Sequence, residues 1–64
     1  MRVNWIHLGN YLVGTVVGKG TVYVYNKITK KWSVYVCTNM QGGVAKWSAG
    51  CPQQVKERYA IRCP

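Results

Sequence analysis

Apolar and polar side chains alternate along much of the first two thirds of the chain, and most strictly in two places. Thr21, Val22, Tyr23, Val24 and Tyr25 form one run, and Trp32, Ser33, Val34, Tyr35, Val36 and Cys37 form the other. A period of two gives a strand with two distinct faces. The connection from Asn26 to Lys31, polar apart from Ile28, joins the runs as an antiparallel hairpin. Strand by strand, one face is predicted to hold Val22, Val24, Trp32, Val34 and Val36, and the other Thr21, Tyr23, Tyr25, Ser33, Tyr35 and Cys37. Further strands are predicted over 2–8, 11–17 and 44–48. Turns at Gly9-Asn10 and Gly18-Lys19-Gly20 and a loop carrying Gly42-Gly43 separate them. Gly14 falls inside the second strand and reads as a bulge or bend.

The pattern changes after Gly50. Pro52 precedes a stretch of good helix formers, and Val55 and Tyr59 stand four apart, on one helical face. A short C-terminal helix over 53–61 is therefore expected. A strand over 58–63 is the rival, because Tyr59, Ile61 and Cys63 also alternate. The sum is a mainly β fold: a small antiparallel sheet, or an SH3/OB-like barrel, of about five strands, with that helix. At 64 residues the chain is read as a single small basic domain spanning 1–64. A domain of this size has a thin core and gains from a disulfide, a metal or self-association, so a homodimer is one way to cover an apolar face.

Charge narrows the function. Nine Lys and Arg face one carboxylate side chain, Glu57, for a net charge of +8. One carboxylate neutralises about one cation, so the excess repels itself or meets an anionic partner. Nucleic acid is the leading partner, and an acidic protein surface is the alternative. Tyr23, Tyr25 and Tyr35 on one sheet face could stack on bases, with Lys27, Lys30 and Lys31 in the adjoining loop holding phosphates. Lys19 and Lys46 complete the candidate nucleic-acid-binding set. The same tyrosines would serve equally as cross-strand pairs. Lys56, Arg58 and Arg62, with Arg2 and Lys46 as possible neighbours, form a weaker second patch, while Trp5 and Trp47 are expected in the core.

Other chemistry has little material. One His, one Glu and no Asp leave no catalytic triad and no carboxylate metal site, so no enzyme and no cofactor are expected. A small ribonuclease built on His7 would be the exception. Residues 14–21 only glance at a phosphate loop, since Gly follows the Lys where Ser or Thr is required. Cys37, Cys51 and Cys63 contain no close-spaced pair. With His7 they could make a zinc site, but one disulfide and one free thiol fit better in an oxidising compartment, with Cys51–Cys63 the candidate bond, and free buried thiols fit a cytosolic protein equally well. No convincing leader and no apolar run of membrane length is present, so a soluble, cytoplasmic protein is expected. Three function classes stand: a nucleic-acid-binding module of low sequence specificity, a protein-binding module such as a viral or phage factor acting on an acidic host protein, and an exported cationic peptide cut after Gly42-Gly43.

Overall fold

A computed structural model describes residues 2–63. Strands β1 (Val3–Leu8), β2 (Tyr11–Val16), β3 (Thr21–Asn26), β4 (Lys31–Gln41) and β5 (Val44–Trp47) precede a short helix, α1 (Gln53–Arg58). The strands make one antiparallel sheet in chain order, β1 to β5. It stays open and does not close into a barrel. β4 is eleven residues long and is shared between two neighbours. Its first half, through Val36, pairs with β3, and its second half, from Cys37, pairs with β5. A register shift between Cys37 and Asn39 marks the changeover. β5 therefore lies beyond the end of β3, and β1 and β5 stand at opposite edges of the sheet.

Short connections fix the registers. β1 and β2 are joined by two residues, so Leu8 faces Tyr11 and Trp5 faces Gly14. Between β3 and β4, the Asn26 side-chain oxygen accepts the backbone N–H groups of Ile28 and Thr29 at 2.9 and 3.1 Å. Asparagine commonly closes a turn this way. The Gly42-Gly43 pair joins β4 to β5 with φ of 58° and 80°. Two consecutive positive φ values are what a two-residue hairpin turn requires and what glycine adopts without a Cβ penalty.

One sheet face carries the core. Val13, Val22 and Val24 pack there with Cys51 and with Val55 of α1, and Ile6, Leu8, Tyr11, Tyr35, Trp47 and Tyr59 surround them. The least dimension of the molecule, 16 Å, is that of a sheet with one further layer. The helix has only six residues and could not persist alone. Its fully buried Val55 supplies the tertiary anchor, and Lys56 and Arg58 sit favourably in its last turn.

Two expectations need correction here. The helix ends at Arg58 rather than at residue 61, and the rival strand over 58–63 does not form. Ala60 instead accepts a hydrogen bond from the Ala45 N–H at 2.9 Å, leaving Ile61 mostly in solvent. The disulfide joins Cys37 to Cys63, with Cα atoms 5.7 Å apart, not Cys51 to Cys63. Cys51 is drawn into the core beside Val55, while the tail returns along the sheet to the β4 changeover. Closing a loop of sequence separation 26 stabilises by about 3.5 kcal/mol on the chain-entropy model.

Candidate nucleic-acid interface

The registers place residues of four strands in rows across the sheet. On the face away from α1, one row is His7, Leu12, Tyr25 and Trp32. The next is Trp5, Gly14, Tyr23 and Val34, and the third is Val3, Val16, Thr21 and Val36. Because Tyr25 pairs with Trp32, odd positions of β3 share a face with even positions of β4. The predicted faces of the hairpin are thus wrong on β4. Trp32, Val34 and Val36 join Tyr23 and Tyr25, whereas Ser33, Tyr35 and Cys37 go to the other side. The four-residue connection, 27–30, sets this parity, which the alternation within each strand does not encode.

An aromatic cluster occupies the upper part of this outer face. Tyr25 and Trp32 have ring centroids 4.9 Å apart, and Trp5 meets Trp32 edge-on at 5.9 Å. Trp5 belongs to the edge strand, three strands from Trp32, and Gly14 lets its ring lie inward. A methyl group built on Gly14 would sit 2.5–2.7 Å from three atoms of the Trp5 ring. Gly14 is therefore neither bulge nor bend: it pairs regularly and leaves the notch in which the indole rests. Trp5 was expected in the core but is 48% exposed, and Trp32 is 57% exposed. Trp47 packs against Tyr59 on the helix side.

Cations frame the face rather than populate it. At the upper end, Lys27 donates from Nζ to His7 Nδ1 at 2.8 Å, which brings the ammonium beside the first row. Lys30 sits in the same loop with φ of 60°. At the lower end, Lys19 lines a shallow hollow of about 260 Å³ with Val16, Thr21 and Tyr23. The remaining predicted site residues lie elsewhere. Tyr35 packs against the core, and Lys31 pairs with Asn26 in the strand positions that face α1. Lys46 is exposed on β5, on the side opposite Ala45 and Trp47. The C-terminal patch also stays apart: Arg58 lies 5.9 Å from the Tyr59 ring centroid, on the helix layer.

Sequence reasoning missed Trp5 and Trp32. The signal was present: a two-residue turn at Gly9-Asn10 places Trp5 opposite the side-chain-free Gly14. Among the described residues, no three His, Cys, Asp or Glu side chains gather where they could hold a metal, and no helix is long and apolar enough to cross a membrane. No protein-family model, curated protein or solved structure matches the chain.

Proposed function

We propose that this protein binds nucleic acid with low sequence specificity through the outer sheet face. One observation carries this reading: in a chain of net charge +8, the sheet face away from α1 holds the exposed Trp5 and Trp32 beside a half-buried Tyr25, with lysines at both ends. Phosphate neutralisation supplies sequence-independent affinity. Aromatic faces add stacking that every base can share. The three rows carry no Arg, Lys, Asn, Gln, Asp or Glu, the side chains that most often read base edges. The Cys37–Cys63 bond favours oxidising surroundings, which departs from the cytoplasmic expectation.

A protein partner is the second reading, favoured by the exposed Val34 and Val36 next to the aromatic cluster. Binding to labelled DNA and RNA across a salt series separates the two. If Lys19, Lys27 and Lys30 each neutralise one phosphate, the affinity falls with a log–log slope of about 2–3. No binding at ~50 mM salt removes the nucleic-acid reading and leaves the apolar face to a protein.

A further inference from the structure

The geometry points to unpaired bases as the ligand of this face: we infer that the protein takes single-stranded nucleic acid in preference to duplex. This rests on the nucleic-acid reading above and goes further, because that reading leaves the strand form open. The three outward rows contain no Lys or Arg. A duplex presents phosphates on its outside. Seating it on this face would press anionic oxygens against Trp5, Trp32 and Val34 and strip their water without a compensating charge.

A single strand fits the arrangement. Its bases can turn onto the exposed indoles while its backbone runs toward the framing cations. The rows span strands of six residues, about 20 Å from the Lys27 end to the Lys19 end. That length suits a site of about 4 nucleotides, the lower end for sheet surfaces that hold single strands. Trp32 and Trp5 form the stacking site near the upper end. The hollow beside Tyr23 offers Lys19 to a phosphate at the lower end.

Three fluorescein-labelled ligands test this on the intact protein: an oligodeoxythymidylate of about 12 nucleotides, a duplex of equal length, and an abasic strand carrying the same phosphates. The oligodeoxythymidylate should bind tighter than both. Trp32→Ala should weaken it roughly 5- to 150-fold, the range of one lost stacking contact, while Trp32→Phe keeps most of the affinity. Lys30→Ala should instead lower the salt slope by about 0.7. Circular dichroism of each variant checks that the sheet is retained. Duplex or abasic strand binding as tightly as the oligodeoxythymidylate overturns the single-strand inference and leaves nucleic-acid binding standing. No binding to any of the three at ~50 mM salt overturns both.

Discussion

Cutting the Cys37–Cys63 bond should cost this domain a large part of its stability. The perturbation is reduction by a thiol reagent, or Cys63→Ser. The bond closes a separation of 26 residues, and the loop-entropy relation gives about 3.5 kcal/mol for that length. A domain of 64 residues has roughly 3–10 kcal/mol in total at the usual stability per residue. Without the bond, the tail from Tyr59 is held by the Ala45–Ala60 hydrogen bond and the packing of Tyr59 on Trp47. Neither replaces a covalent restraint on the unfolded chain. Urea titration followed by tryptophan fluorescence measures the effect. With an m-value near the low end for small domains, the midpoint should fall by on the order of 2–3 M urea. Peptide mapping of the oxidised protein should recover Cys37 linked to Cys63. A Cys51–Cys63 peptide, or equal midpoints before and after reduction, would refute the reasoning.

Three further outcomes follow from the packing. Val55→Ala removes the anchor of α1 from a fully enclosed site and should destabilise by about 1–3 kcal/mol, read by the same titration; a neutral result would mean that the helix layer does not cover the core. Gly14→Ala puts a methyl group into the Trp5 ring, so the indole should swing outward, shifting tryptophan emission to longer wavelength and weakening oligonucleotide binding. An unchanged spectrum would argue against Trp5 resting on β2. Burial raises the Cys51 thiol above its ordinary value, against the lowering effect of Lys56. The folded thiol thus keeps its proton to higher pH than the unfolded one. The stability this contributes is whole below about pH 8.5 and is lost as pH rises through the folded value. Urea midpoints should therefore fall more steeply on the alkaline side for the native protein than for Cys51→Ala, and parallel slopes would sink the assignment.

Strand positions were legible because alternation reports burial on one face of a sheet, and glycine turns punctuate it. The helix was legible in kind from Pro52 and Val55. Its end was not, since residues 59–61 follow a hydrogen bond to β5 and a disulfide to β4 that no local pattern encodes. The candidate site was half legible. Tyr23, Tyr25, Lys27, Lys30 and Lys19 do meet or flank the outer face. Tyr35 fell on the wrong side because face identity across a hairpin depends on loop parity, and a slip of one residue exchanges every side chain; Lys31, expected in the loop, instead opens β4 opposite Asn26. Trp5 and Trp32 were lost for related reasons. A large aromatic is a sound guess for the core of a small domain, but here valines fill the small space beneath the helix and the indoles are left outside.

The most direct test uses the three tryptophans themselves. In a proton–nitrogen correlation spectrum each indole N–H gives its own signal, and Trp47 on the helix side serves as the internal control for Trp5 and Trp32 on the outer face. Titration with a short single-stranded oligonucleotide at low salt should move the Trp5 and Trp32 signals and leave Trp47 in place. Movement of Trp47 with Trp5 and Trp32 unchanged would contradict the assignment of the outer face as the binding surface.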